Sequence, residues 1–420
     1  MRIAVVGSGI SGLAAAWLLQ PQHEVTLFEA EDRLGGHTHT HEIELQGRTL
    51  RVDSGFIVCN PQNYPLLFAL FAELGIATQP TTMSFSVRCE RSGLEYIASD
   101  FNGMFLQRRR LLSLRHWRLL FDILRFYREA PALLDLPDDG PDLGEYLLRN
   151  GYSAGFREEH LVPMASALWS SPSHAVLRFP AKYLVAFMAN HHMLQVEGRP
   201  GWKVVRGGSG SYVEAMQARW KVRVRTATPV RGVQRDGEGV TLRLDQGPER
   251  FDALVLACHS DQALALLEDP SDAEREVLAA IPYQRNEVVL HTDPSQLPRD
   301  RRAWAAWNAI LPADREEACT VSYCMNVLQS LDVPEALVVT LNRSHAIDPQ
   351  RILARMAYAH PVYTRAAVAA QRRRGEINGR NRTWYCGAYW GWGFHEDGMR
   401  SAVEVARALG VRWPRATASA

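Results

Sequence analysis

Apolar positions in the first thirty residues change period twice. Ile3, Val5 and Val6 form a short β run, and an Ala/Leu-rich helical stretch follows without a linker from Ile10 to Leu19. Glu24-Val-Thr-Leu-Phe-Glu29 then reads as a second strand. The same texture returns later. Between 202 and 260, Val222-Arg-Val-Arg225 and Gly239-Val-Thr-Leu-Arg-Leu244 alternate, and Ala253-Leu-Val-Leu-Ala257 is continuously apolar, as a strand buried in a parallel sheet requires. Between 376 and 420, Thr383-Trp-Tyr-Cys-Gly387 reads as a strand and Gly398 onward as a helix. Residues 59–201 are helix-rich, and 261–375 mix strand and helix. The pattern predicts an α/β chain in which one parallel-sheet domain is assembled from 1–58, 202–260 and 376–420. A mixed α+β substrate domain, 59–201 and 261–375, is inserted into it twice. The Ala/Arg-rich tail after Trp413 is expected to fray.

The first strand and helix are joined by Gly7-Ser-Gly9-Ile-Ser11-Gly12. Strand, turn and helix in that order give Gly-x-Gly-x-x-Gly its meaning. Gly7 allows the tight turn, Gly9 lets backbone approach a pyrophosphate, and Gly12 lets helix and strand pack closely. The helix N-terminus offers unpaired N–H groups and a positive dipole end to phosphates. Glu29 ends the second strand where an adenosine ribose presents its hydroxyls, and a carboxylate there disfavours a 2′-phosphate. NAD and FAD both fit this half. Glu31-Asp32-Arg33-Leu34-Gly35-Gly36-His37 turns the reading to FAD. It resembles the Arg-x-Gly-Gly element of FAD enzymes with the glutathione-reductase-type fold, whose loop backbone closes over the pyrophosphate. The expected fold is therefore a Rossmann-like FAD-binding domain of glutathione-reductase/amine-oxidase type, carrying non-covalent FAD. No second Gly-x-Gly-x-x-Gly opens a helix after a strand, so no nicotinamide site is expected. Electrons leave to dioxygen or another acceptor, or do not leave at all.

At 420 residues the chain is too long for one Rossmann unit, and its 46% apolar and 22% charged content is that of a soluble globular protein. A net charge of +1 gives no support to nucleic-acid binding as its main task. The six cysteines are scattered, without a Cys-x-x-Cys pair, which points to a reducing compartment. The first strand begins at residue 2, leaving no room for a signal peptide, and no run of 18 apolar residues exists. The expectation is a cytoplasmic protein.

A family resemblance rests on Asp53-Ser-Gly55-Phe56-Ile-Val-Cys-Asn60, Tyr64-Pro65, Met83-Ser-Phe-Ser-Val87, Asn342 and Trp390-Gly-Trp-Gly-Phe-His395-Glu-Asp-Gly398. With the architecture above, these resemble the flavin amine oxidase and phytoene desaturase superfamily. Within it the chain is most similar to FAD-binding proteins that resemble the N-terminal half of plant cyclopropane fatty acid synthases. That group includes a bacterial methyl-fatty-acyl desaturase of furan fatty acid synthesis. The resemblance implies that Gly7, Gly9, Ser11, Gly12, Glu29, Arg33, Gly36 and His37 hold the adenosine and pyrophosphate. It places Gly55 and Phe56 beside the isoalloxazine and Val230 at the adenine, with Gly387, Asp397, Gly398 and Met399 closing the site. It also implies a lipid or fatty acyl substrate and a fatty-acyl methyltransferase as partner. One departure stands out. The superfamily often has Glu directly after the glycine matching Gly387, where this chain has Ala388, and Asp397 is the candidate to compensate.

Many amine oxidases place a lysine near flavin N5 through a water, yet no lysine follows Lys221. Trp169, Trp304, Trp307, Trp390 and Trp392 are either core residues or the walls of a greasy substrate site. His395 and Glu396 either relay a proton during hydride transfer or only shape the loop around the flavin. His37, His39 and His41 alternate as metal ligands on a strand would, but no Cys, Asp or Glu lies in frame, so no metal is expected. Residues 108–128 read as one helix with seven arginines and one aspartate. Arg115, Arg118, Asp122 and Arg125 form a stripe flanked by Leu114, Trp117, Phe121 and Leu124. That helix fits burial, the favoured reading, or peripheral contact with the cytoplasmic membrane face. The remaining rivals are a carotenoid- or porphyrinogen-type oxidase or desaturase, and a flavoprotein that isomerises lipid or presents it to a methyltransferase.

Overall fold

The computed structural model describes residues 1–314 and 319–413, so the tail after Trp413 lies outside the described residues. Four helices bear on the site: α1 (Ile10–Leu19), α2 (Pro65–Leu74), α3 (Leu114–Glu129) and α4 (His395–Ala408). A parallel sheet of five strands carries the first of them. It contains β1 (Arg2–Val6), β2 (Glu24–Phe28), β3 (Arg223–Arg225), β4 (Ala253–Leu256) and β5 (Thr383–Tyr385), in the order β3-β2-β1-β4-β5. Beyond the exposed first residues Arg2 and Glu24, its central strands are buried and almost wholly apolar because both faces are covered. Ile3, Val5, Leu27 and Val255 pack with α1 and α4, while Ala4, Val6, Phe28 and Leu256 pack with an antiparallel sheet formed by 232–251. Sandwiched between sheet and α4, α1 is buried at every residue, which is why it has no polar stripe.

A second, seven-stranded sheet runs in the order 352–361, 283–291, 338–341, 320–324, 307–311, 85–89, 94–97. Its one parallel contact, Trp307–Leu311 beside Phe85–Cys89, pairs a strand from each of the two inserted segments. Helices between 101 and 190 cover that end, with Leu119, Ile123 and Phe126 meeting Phe85, Val87 and Ala309.

Two expectations are corrected here. Segment 261–375 does not belong wholly to this second layer. The helices Asp272–Ala279 and Arg365–Arg372 put Val277, Leu278, Ala367 and Ala370 into the cluster beneath the parallel sheet. Their apolar stripes carry no mark of which sheet will receive them. Residues 108–128 are likewise not one helix: 108–112 make a 3-10 turn, and Ser113 caps α3 by accepting the His116 N–H. Among the described residues no helix is long and apolar enough to cross a membrane.

Candidate active site

One continuous cavity of about 1320 Å³ runs from the parallel sheet to the seven-stranded sheet. Single-ligand pockets span roughly 300–1,000 Å³, so it has room for a cofactor and a substrate together.

The end at the parallel sheet is walled by backbone. Gly7 sits at φ +100° and turns β1 into α1. A Cβ on Gly12 would lie 1.8 Å from Gly7 O, so helix and strand touch main chain to main chain. A Cβ on Gly9 would meet nothing within 4 Å, because that position faces open cavity. No side chain caps α1, and Ile10 and Ser11 line the cavity beside its unpaired N–H groups. Gly36, at φ +57°, brings the second glycine loop against Gly9, where its Cβ would lie 3.0 Å from Gly9 Cα. Arg33 holds that loop by donating to Gly36 O at 2.9 Å. The Glu29 carboxylate accepts from Ser8 N at 2.9 Å and from Ser8 Oγ at 2.6 Å, fixing the turn, and Glu29 and Val230 both line the cavity. The buried His37 Nε2 has no partner among the described residues. Open glycine backbone, uncapped helix N–H groups and an unpartnered imidazole together fit a dinucleotide pyrophosphate.

The middle of the cavity is reached from α4. Gly55 packs on His37, its Cβ position 2.0 Å from His37 O, and Phe56 stacks on the His395 ring at 3.6 Å between centroids. His395 Nε2 lies 3.0 Å from Thr38 Oγ1, and burial lowers the imidazole to about 3, so it is neutral. Gly387 and Ala388 line this part too.

Several expected site residues stand elsewhere. Glu396 is not part of a cavity acid/base pair: its carboxylate accepts the Leu66 and Leu67 N–H groups at 3.0 and 3.1 Å, capping α2, and burial raises it to about 7. Asp397 does not compensate for Ala388, because it accepts the Phe394 N–H at 3.1 Å and pairs with Arg400 outside the cavity. Gly398 and Met399 likewise do not line the cavity. Gly398 lets α4 cross α1, its Cβ position 2.8 Å from Ser11 Oγ, and Met399 is core. Trp304 is turned away, its indole donating to Pro298 O at 2.9 Å beneath Arg301. Trp390 packs under the parallel sheet with Arg374 over its ring. Of His37, His39 and His41, the first two line the cavity, and the rings of the last two lie 3.9 Å apart between centroids. No group of three metal-ligating side chains occurs among the described residues.

Trp169 and Trp392 do line the far arm, the Trp169 indole donating to Trp392 O at 2.9 Å, and Trp307 joins them. Sequence reasoning missed Met164, Phe187, His191 and Tyr323 in this arm, and His259 and His360 beside His37. One signal existed for the last of these: Met356, Tyr358 and His360 alternate along the strand Ile352–Pro361 and so share a face. Among its described lining residues the arm holds one charged side chain, Arg199, exposed at its mouth beside Tyr127. Among the described lining residues the carboxylates, Glu29 and Glu31, stand at the glycine end, and none is a lysine. Burial lowers His160 to about 3 and His191 to about 4.

Residues 10–303 match the family described as flavin containing amine oxidoreductase. AofH of Mycobacterium tuberculosis, which carries the name of a flavin-containing monoamine oxidase, is 30% identical over 285 residues, covering 64% of this chain and 59% of that protein. The carotenoid phi-ring synthase of Streptomyces griseus is 29% identical over 276 residues, covering 61% of this chain and 52% of that one. The chain thus spans between half and three fifths of these curated relatives. A CLA-producing fatty acid isomerase from P. acnes superposes with a TM-score of 0.67 at 17% identity, over 97% of this chain and 98% of that one, a likeness of fold alone. The glycine cradle and the extent of the family match lead to one conclusion: FAD is the cofactor, and the chain belongs to the flavin-containing amine oxidoreductase family.

Proposed function

We propose that the protein is an FAD-dependent oxidoreductase that dehydrogenates a methyl-branched, unsaturated fatty acyl chain carried on a phospholipid. The observation that carries this reading is the far arm of the cavity, walled by Met164, Leu168, Trp169, Phe187 and Trp392 without a carboxylate or lysine among its described lining residues. An ammonium substrate would lose its hydration there with ring faces but no carboxylate to replace it, and desolvating a charge without an opposite partner costs several kcal/mol. An acyl chain is stabilised by the same walls at about 0.8 kcal/mol per buried methylene.

When bound, the flavin accepts two electrons as a hydride. An allylic C–H beside an existing double bond is weak enough to be given up in that form. The positive charge then left on the acyl chain faces the rings of Trp169, Phe187, Trp202 and Trp392, whose π faces attract a cation. A C–H next to that charge is acidic, so a weak base suffices to take its proton and complete the new double bond. His160 and His191, both neutral, line this arm. His395 serves a different end, holding Phe56 and Thr38. A carotenoid-type substrate is the second reading, favoured by the Streptomyces relative and by the same apolar, aromatic walls.

Lipid mass spectrometry of a deletion strain tests the reading. Accumulation of methyl-branched monoenoic phospholipids is expected. An unchanged phospholipid profile overturns it, and an altered carotenoid profile would favour the second reading.

A further inference from the structure

Apart from Tyr127, α3 lies outside the cavity, and its outward side sets large apolar side chains among arginines where a surface helix is ordinarily polar. His116, Leu119, Ile123 and Phe126 fill the buried face. Facing solvent, Leu112 is 91% exposed, Leu114 86%, Phe121 62% and Phe101 53%. Six of the ten exposed large hydrophobic side chains among the described residues lie between 101 and 124 (Phe101, Leu111, Leu112, Leu114, Phe121, Leu124), so they are concentrated rather than scattered. Trp117 links them, its ring 6.0 Å from Phe101 and 6.2 Å from Phe121.

The patch has a basic frame. Residues 108–128 hold seven arginines and one acid, and that acid, Asp122, is buried and accepts the Ser153 N–H at 2.9 Å. Arg109 and Arg118 are exposed and make no ion pair among the described residues. Apolar side chains at the centre with unpaired guanidinium groups around them match the boundary between acyl chains and phosphate headgroups. The cavity opens at the edge of the same patch: exposed Ser99 and Val196 line its mouth, Ser99 stands two residues before Phe101, and Tyr127 lines it from α3 itself.

We propose that residues 101–128 dock the protein on an anionic lipid bilayer with the mouth of the cavity turned towards the lipid. Docking stands on the exposed patch and its arginines; passage of an acyl chain from bilayer to cavity rests on the acyl reading above.

The test uses the FAD-loaded full chain and sedimentation with vesicles of phosphatidylglycerol and phosphatidylcholine, against phosphatidylcholine alone. Leu114→Glu with Phe121→Glu removes the apolar centre, and Arg109→Glu with Arg118→Glu reverses the free charges. Arg115 is left alone because it pairs with the buried Glu159 at 2.8 Å. Flavin absorbance and melting temperature serve as fold controls. The wild type is expected to sediment with the anionic vesicles, less as salt rises. Each double variant should bind on the order of 30-fold more weakly. A wild type that stays in the supernatant, or variants that sediment unchanged, overturn the proposal. So does a change from dimer to monomer in the Leu114/Phe121 variant without vesicle binding by the wild type, which would make the patch an interface between copies. Flavin reduction by a methyl-branched, unsaturated phospholipid, presented in the anionic vesicles and dispersed in detergent, separates the two readings. Variants that lose vesicle binding but keep this reduction support docking, whereas vesicle binding without reduction leaves docking standing and removes the acyl substrate.

Discussion

The cavity wall that fits a pyrophosphate is made of backbone, from Gly7, Gly9 and Gly36, with Gly12 packing helix on strand behind it, whereas the wall of the far arm is made of side chains from Met164 to Trp392. The first recognises a ligand by open N–H groups and by the absence of Cβ atoms. The second recognises by apolar area and holds no carboxylate or lysine among its described lining residues. Charge itself is distributed in the same way. Behind the parallel sheet, Arg235 and Glu274 are buried as a pair, each side chain 1% exposed, with the Tyr385 hydroxyl donating to Glu274. Among its described lining residues the far arm buries the neutral imidazoles of His160 and His191, with Arg199 exposed at its mouth.

The sharpest way to break this comparison is to put the same side chain at two neighbouring glycines. Gly12→Val collides with Gly7 O and should yield no folded protein, whereas Gly9→Val points into open cavity and should fold as a colourless apoprotein. Circular dichroism and flavin absorbance of the purified variants separate the two outcomes; a yellow Gly9→Val protein would refute the backbone cradle. Next in size, Glu274→Ala strands Arg235 but leaves it Asp269 at 3.0 Å. A loss of about 3 kcal/mol is expected by denaturant titration, at the low end for a broken buried pair, with FAD retained. In the far arm, Met164→Glu introduces a lone carboxylate. It should keep FAD yet slow flavin reduction by acyl lipid by about 100-fold or more, because a buried unpaired charge costs several kcal/mol. An equal rate would show that the arm is wetter than its lining implies.

The smallest effect concerns pH. Burial lowers His191 to about 4 from 6.5, so the stability it contributes is present above pH 6.5 and is lost as pH falls from 6.5 to 4. Glu396, raised to about 7, has the opposite sign and gains stability as pH falls through that value, equally in wild type and variant. His191→Phe should therefore flatten the fall in stability between pH 6.5 and 4 by up to about 1.4 kcal/mol per pH unit. Unfolding titrations across that range that run parallel for both proteins would place the His191 charge in water.

Sequence legibility follows the same division. A backbone wall needs glycine at fixed local spacing, so residues 7–12 and 33–37 announce the cofactor end and the parallel sheet behind it. A side-chain wall draws one or two residues from each of several distant segments, and nothing local marks them. Phe187 and Tyr323 meet only once 307–311 has paired with 85–89. Trp304 and Trp390 have the same composition signal as Trp169 and Trp392, but point away because Pro298 O takes one indole and the parallel sheet's underside takes the other. Glu396 reads as chemical beside His395, and Asp397 as a replacement for the carboxylate missing at Ala388. Local geometry spends both carboxylates on helix N-termini, which no spacing rule separates from catalysis.

The central claim, an acyl substrate in an arm without carboxylates beside FAD, is tested most directly by anaerobic titration of the holoenzyme. Bleaching of the flavin absorbance by a methyl-branched, unsaturated phospholipid, with no bleaching by a primary amine at the same concentration, is the expected result. Bleaching by the amine with the lipid inert would contradict it.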